Sequence, residues 1–417
     1  MEDTSPHGAI DGRPRAVVIG AGFSGLSAAY ELAKAGVHVI VLEAETQPGG
    51  LAASFEVKGK QVERFYHFWY NNDRRLLDLV DDLRVRDQVI WRPSPTGMYF
   101  AGSLYRLTTP FDVLKFKPLP FFDRLRLGWL VVQARRIKTW RQLDDISAAD
   151  WLTQLAGKET FRVVWEPLLV GKFGKQYAYE VSAAWFWAKL ILRGGSRAKH
   201  GGEALMYFKG GFKALIDIMI DRIHQHGGEV HCGVPALRIE TLSGGVTGVR
   251  SSNGFVPCSA VIATPAPSLI ADMLGDEIAV GYREQLRKVR YMGNVCLVLE
   301  LDRSLSSLYW MNVNDPSFPF VAVIEHTNNE PMNDKNRHVI YLSRYVTMDD
   351  PVYAMTDEGV LEFTLPHIQR MFPDFKRASI LDFHVWRAQF AQPLAVTGYS
   401  KLIPENDSPI RGLKIAS

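Results

Sequence analysis

Residues 15–44, RAVVIGAGFSGLSAAYELAKAGVHVIVLEA, constrain this chain more than any other stretch. RAVVIG is a short β-branched run, GAGFSG follows at once, Ala28, Ala29, Leu32 and Ala33 recur at helical spacing, and VHVIVLEA is a second apolar run. The order predicts a strand, a glycine turn, a helix and a second strand. Gly20 permits the sharp turn, Gly22 lets a pyrophosphate approach bare backbone, and Gly25 seats the helix tightly on the strand. With Ala21, Phe23 and Ser24 they form a loop whose amides face phosphates at the positive end of the helix. Glu43, 18 residues after Gly25 and followed by Ala44, stands where a carboxylate accepts hydrogen bonds from both ribose hydroxyls. A glycine turn that merely packs a helix needs neither the second strand nor this carboxylate, so a dinucleotide site is expected.

The next segment, ETQPGGLAASF, adds Gly49, Gly50 and Leu51, a second glycine pair able to approach the same pyrophosphate. Together with the first motif it resembles the FAD-dependent superfamily of amine oxidases, protoporphyrinogen oxidases and phytoene desaturases. Many amine oxidases carry an arginine on each side of that pair, whereas Gln47-Pro48 and Leu51-Ala52 stand here, which favours the protoporphyrinogen oxidase-like and mutase-like branches. The resemblance implies an α/β fold: a discontinuous, glutathione-reductase-like Rossmann domain binding FAD, with an inserted α+β substrate domain. On that pattern residues 1–70, 205–270 and 385–417 build the cofactor domain, and residues 71–204 and 271–384 the substrate domain. GGFKALIDIMIDRIHQHGGEVHCGVPALRIETL reads as a helix, a Gly227-Gly228 turn and a strand returning to the cofactor. By resemblance, the backbone of Ala236 reads the adenine edge, and Thr264 and Pro265 in SAVIATPAP pass the pyrophosphate. By the same resemblance RGLKIAS, residues 411–417, matches the beginning of the family's last cofactor segment, so the motif reads as interrupted: either the chain is a truncated product or the site is closed by other means, such as a partner subunit.

At 417 residues the chain has room for two to three domains. A net charge of +3 gives no reason to expect a nucleic-acid partner, and three scattered cysteines form neither a disulfide framework nor a metal motif. No metal is expected. The amino-terminal residues lack the apolar core of a secretory signal and no run reaches membrane-spanning length, so a cytoplasmic protein, free or attached at the inner face of a membrane, is expected. Self-association into a homo-oligomer is compatible with all of this. One stretch is unusual: residues 115–141 carry eight Lys or Arg and one acid among Phe121, Phe122, Leu125, Trp129 and Leu130. Such a segment either packs as a helix with a solvated basic back or lies on an anionic membrane.

A flavin carries out the electron transfer itself, so the protein must position a substrate and exclude competing reactions. VERFYHFWYNND resembles the histidine-containing stretch of UDP-galactopyranose mutases beside the isoalloxazine, which makes His67 a candidate, with Tyr70 where the mutases have a second histidine. In VVWEPLLVGKFG, Trp165, Glu166 and Lys172 line a substrate cavity or pair with one another. FVAVIEHTN places Glu325 and His326 at a strand end, where neighbours point to opposite faces and at most one sees substrate. VWRAQFAQPLAVTGY resembles the segment before the last cofactor strand of protoporphyrinogen oxidases, which implicates Arg387, Gln392 and Tyr399 where the chain re-enters the cofactor domain. The first functional reading is a flavin oxidoreductase removing hydride from a C–C or C–N bond of a lipophilic small molecule. A mutase-like enzyme needs paired arginines for a nucleotide diphosphate, for which Arg193 and Arg197 are the candidates. A non-enzymatic lipid-binding protein like the GDP-dissociation inhibitors has no use for an intact glycine turn and Glu43.

Overall fold

The computed structural model describes residues 13–107, 109–196, 203–275, 278 and 280–417. One layer of it is a five-stranded parallel sheet drawn from both ends and the middle of the chain, in the order Glu229–His231, His38–Leu42, Arg15–Ile19, Ala260–Ala263, Leu413–Ile415. Strands buried on both faces need unbroken apolar runs, and VVI, VIVL and AVIA supply them. Val18, Val39 and Val41 face the helices Phe23–Lys34 and Gly211–Gln225, meeting Leu26, Ala29, Leu215, Ile216 and Met219. The alternate residues Val17, Ile19 and Ile40 face an antiparallel meander of Ala236–Leu242, Gly245–Ser251 and Gly254–Pro257, where Ile239 and Val249 cover them. Three layers result, and the carboxyl ends of the parallel strands open on one edge, where ligands bind in open α/β sheets.

A second, seven-stranded sheet runs in the order Ile380–Pro393, Tyr291–Leu301, His338–Val346, Ala322–Glu325, Trp310–Val313, Thr96–Phe100, Ser103–Arg106. It is antiparallel except where Trp310–Val313 runs alongside Thr96–Phe100. Val295, Leu297 and Leu299 turn to the face covered by the helix Asp357–Met371, while Cys296 and Val298 turn to the face shared with Phe55, Tyr66 and Phe68. The expected boundary at residue 385 falls inside this sheet. Ile380–Pro393 pairs with Tyr291–Leu301 on both sides of that position, because its half-buried alternation continues past it, and the parallel sheet is rejoined only at Leu413. All three cysteines are unpaired.

Helices between residues 110 and 195 form a separate core around Leu130, Leu152, Leu169 and Phe173. Within it Phe161–Trp165 forms a wide π-type turn. Such a turn displaces carbonyls from the helical ladder, and Asn314, fully buried after the strand Trp310–Val313, donates Nδ2 to Val163 O at 3.1 Å and Val164 O at 2.7 Å. Asn314→Ala should therefore leave two buried carbonyls unpaired and lower unfolding free energy by roughly 2–4 kcal/mol. Denaturant titration checks this, and a loss below ~1 kcal/mol would mean that the turn is held by other contacts.

Candidate active site

The site is built on the turn after the first strand. Gly20 has φ +99° and Gly25 touches it so closely that a Cβ on Gly25 would sit 1.9 Å from Gly20 O. Thr264 braces the turn from behind, donating Oγ1 to Ile19 O at 2.8 Å. Pro265 follows it at the end of the neighbouring strand. The helix Phe23–Lys34 starts from Gly22 with no capping side chain and no acid in its first turn, so its positive end stays open. A Cβ on Gly22 would meet nothing within 4 Å, and one on Gly50 would come no nearer than 3.5 Å to Gly22 Cα. The second glycine loop is thus laid against the first, tied by Gly49 N to Ala21 O at 2.8 Å, with Leu51 exposed at its rim. Ser24 is exposed beside it, and Phe23 turns its ring to Phe212 and Trp69.

Glu43 is buried at the end of its strand. Its carboxylate accepts from Ala21 N at 2.6 Å and Glu45 N at 2.9 Å, straddling Ala44. Val234 N donates to Glu43 O at 2.8 Å, which brings Ala236, two residues on, to the same edge. A bare backbone cradle, an uncapped helix end and a buried carboxylate at the strand tip fit a dinucleotide with a ribose and a pyrophosphate.

Residues 63–70 pack on the second sheet through Phe65, Tyr66 and Phe68 and end in the short strand Trp69–Tyr70, which pairs with Leu205 and Met206. His67 donates Nδ1–H to Phe65 O at 2.6 Å, since a carbonyl can only accept, which leaves Nε2 as the ring's acceptor. Burial pushes its pKa below the usual histidine range, so the ring is neutral. It meets Phe212 edge-on at 6.0 Å, in a cluster with Trp69 and Tyr207. His326 reaches the same cluster from the second sheet, between Tyr207 at 5.5 Å and Tyr341 at 5.9 Å. Its pKa is depressed to about 3 by burial and then by Lys60.

The remaining candidates lie elsewhere. Glu325 turns away from His326, accepting from Ser304 Oγ at 2.6 Å and Leu305 N at 3.1 Å. Arg387 is saturated by Asp357, Tyr353 O and Met355 O, an anchor for the helical layer behind the sheet and not for the cofactor edge. Tyr399 packs by Tyr291, its pKa pushed to about 12 by burial and then by that phenol. Gln392 donates to Pro393 O. Glu166 bonds Tyr179, Trp165 packs on Phe186, and only Lys172 faces the aromatic side of the sheet. Arg193 is held by Glu203 at 2.7 and 3.2 Å, which removes it as a free diphosphate clamp, and Arg197 lies outside the described residues. Glu300, Asp382 and His384 gather on adjacent strands, but Arg337 at 3.0 Å balances Glu300 without an ion.

Glu63, which the pattern of VERFYH did not single out, joins the layers. Its carboxylate accepts from Tyr207 Oη at 2.8 and 2.7 Å and Phe212 N at 2.8 Å, and its carbonyl accepts from Tyr341 Oη at 2.7 Å. Val62 and Glu63 are both buried at the end of the strand Lys60–Glu63, and KQVE carries no local signal that marks the acid.

A glycine cradle on a parallel sheet, facing an antiparallel sheet across an aromatic cluster, defines a flavin-dependent oxidoreductase. The chain belongs to the family of flavin containing amine oxidoreductases, whose family model matches residues 23–417. A chloroplastic/chromoplastic 15-cis-phytoene desaturase of Glycine max is 23% identical over 444 residues, covering 96% of this chain and 74% of the desaturase. An oxidoreductase from Methanosarcina mazei superposes with a TM-score of 0.75 at 20% identity, over 96% of this chain and 94% of that one. Reduced UDP-galactopyranose mutase gives a TM-score of 0.70 at 16% identity, over 93% of this chain and 84% of the mutase, a likeness of fold.

Burial raises Glu63 to about 7, against the opposing pull of Phe212 N and Tyr207 Oη. A carboxyl with a raised native pKa binds its proton more tightly folded than unfolded, so its contribution is greatest below the unfolded pKa and falls as pH rises through about 7. Glu63→Gln should flatten this dependence, and the stability difference between variant and parent should move by roughly 3 kcal/mol in the variant's favour between pH 5 and pH 8. Parallel denaturant titrations at the two pH values measure it, and an unchanged difference would place the Glu63 pKa in the ordinary range.

Proposed function

We propose that this chain binds FAD and removes a hydride from a C–C or C–N bond of a lipophilic small molecule. The observation that carries the reading is the pair of glycine loops laid backbone to backbone beside a buried strand-end carboxylate, with Gly50 against Gly22 and Glu43 at Ala21. Gly22, Gly50 and the first-turn amides of Phe23–Lys34 would hold the pyrophosphate, Glu43 the ribose and the Ala236 backbone the adenine edge. When bound, the flavin supplies the two-electron acceptor. His67 keeps a neutral ring whose Nε2 can take a proton or hydrogen bond from substrate, and Phe212, Trp69 and Tyr207 exclude water around it. Purified protein should be yellow, absorb near ~450 nm and release FAD on denaturation. Glu43→Gln should lower FAD affinity about tenfold or more, since it loses a charged acceptor. A chain that takes up no flavin from excess FAD would sink the proposal.

A second reading concerns where the enzyme works: the basic stretch 115–141 attaches it peripherally to an anionic membrane. The helix Phe121–Arg136 buries Leu127, Leu130 and Ala134, while Phe121, Leu125, Trp129 and Val132 stand exposed and Phe122 is 76% exposed. Phe111, 74% exposed, and Leu114 extend the patch, with Lys115, Lys117, Arg126, Arg135, Arg136 and Lys138 around it. Exposed aromatics ringed by cations complement apolar chains beneath anionic headgroups. Among the described residues no helix is long and apolar enough to cross a membrane. The protein should co-sediment with phosphatidylglycerol vesicles at low salt, less so at high salt, and the Phe121→Glu, Phe122→Glu double variant should bind at least tenfold more weakly. Equal sedimentation of parent and double variant would overturn this reading.

A further inference from the structure

Two lysines come to one indole, in a place that the reading above leaves unused. From the helix Glu166–Tyr177, Lys172 donates to Tyr345 Oη at 3.1 Å, with its ammonium 4.2 Å from that ring and 5.5 Å from the Trp185 indole. From the helix Ala183–Gly195, Lys189 lies one turn beyond Trp185 and 5.7 Å from the same indole. Two ammonium groups thus share one ring. Among the described residues neither has a carboxylate within ion-pair distance: Glu203 is consumed by Arg193, and Glu166, on the helix of Lys172, bonds Tyr179.

The lysines feel each other and their setting. Lys189 is exposed along its side chain, but its ammonium sits close to Trp185, and local burial and then Lys172 hold it below the usual lysine range. Burial alone would raise Tyr345, but Lys172, Tyr66 and Lys189 outweigh it and bring the phenol below its ordinary range. Tyr66, whose hydroxyl meets that of Tyr345, packs edge-on to Trp310 at 5.0 Å, and Phe68 meets Trp310 at 5.8 Å. Tyr66 directly precedes His67, so an aromatic wall runs from the candidate active site to the lysine pair.

Like charges at one indole repel, and the aromatic rings hold the cations without neutralising them. An oxyanion seated between them relieves that repulsion. A cationic amine would add a third positive charge, and a hydrocarbon would bury the ammonium groups without compensation. Lysines act as point charges, which suits carboxylate or phosphate without demanding one geometry. We propose that Lys172 and Lys189 bind the carboxylate or phosphate of an amphipathic substrate whose apolar body lies along Tyr66, Phe68 and Trp310. That the bound molecule is the substrate rests on the flavin-dependent reading.

Calorimetric titration of the flavin-loaded protein with decanoate, decyl phosphate, decanol and decylamine, below their micelle concentrations, tests the head group on a constant chain. Either anion should bind about tenfold more tightly than decanol, and decylamine most weakly. The better of the two anions assigns carboxylate or phosphate. Lys172→Met and Lys189→Met should each lose about tenfold for the anion and leave decanol unchanged, while Lys172→Arg retains anion binding. Equal affinity for decanoate and decylamine, or undiminished anion binding in the double Met variant, overturns the site. Flavin content measured on the same samples separates the two readings. Flavin-loaded protein without anion preference sinks the lysine site alone, whereas anion preference in protein that takes up no flavin sinks the flavin reading and leaves the site standing.

Discussion

The contact between Gly25 and the carbonyl of Gly20 sets the geometry of the dinucleotide edge. With 1.9 Å between Gly20 O and where a Cβ would be, any side chain at residue 25 forces the helix off the strand. That displacement would carry the first-turn amides away from the strand tip, unseat Ala21 from Glu43 and release the second glycine loop, which hangs on Ala21 O. One missing methyl therefore holds phosphate donors, ribose acceptor and the second loop in register. Thr264 makes the same turn dependent on a strand far away in the chain, because its hydroxyl fills the space a Gly20 side chain would need.

Glu63 has the corresponding place between the two sheets. Its carboxylate ties the strand Ala204–Phe208 to the start of the helix Gly211–Gln225, and its carbonyl takes the hydroxyl of Tyr341 in the second sheet. Burying an acid so fully is costly unless its acceptors are used. Here the donors come from three elements, so they are satisfied together only when those elements are assembled. His67 and His326 flank this junction through Phe212 and Tyr207, and burial is the main cause that keeps both rings neutral, helped at His326 by Lys60.

The glycine turn and Glu43 were legible in the sequence because their information is local: a strand, a turn, a helix and a strand lie within thirty consecutive residues, and Gly25 answers a contact inside that unit. The bracing role of Thr264 is non-local, and only resemblance brought it near the turn. Arg387 shows the limit from the other side. Residues 380–393 alternate as a strand, but which face Arg387 takes depends on the helix Asp357–Met371, whose Asp357 claims it. Glu325 and His326 were expected to point apart, and they do, yet only the fold shows that His326 is the one joining the aromatic cluster. Glu63 escaped notice because a carboxylate at a strand end reads as solvent-exposed until three elements close over it.

Trp185, Lys189 and Arg193 lie at successive turns of one helix, and their spacing alone suggests nothing beyond a polar stripe. Their environments then diverge. Arg193 receives both oxygens of Glu203, the compensation a desolvated cation ordinarily requires, and approaches Trp310 at 5.8 Å as a neutralised pair. Lys189, one turn earlier, shares the Trp185 indole with Lys172, and among the described residues no carboxylate pairs with either. Two positive charges at one indole repel, and a negative partner relieves that repulsion. The same helix thus carries a cation whose role is complete within the fold and another whose role is completed by a ligand.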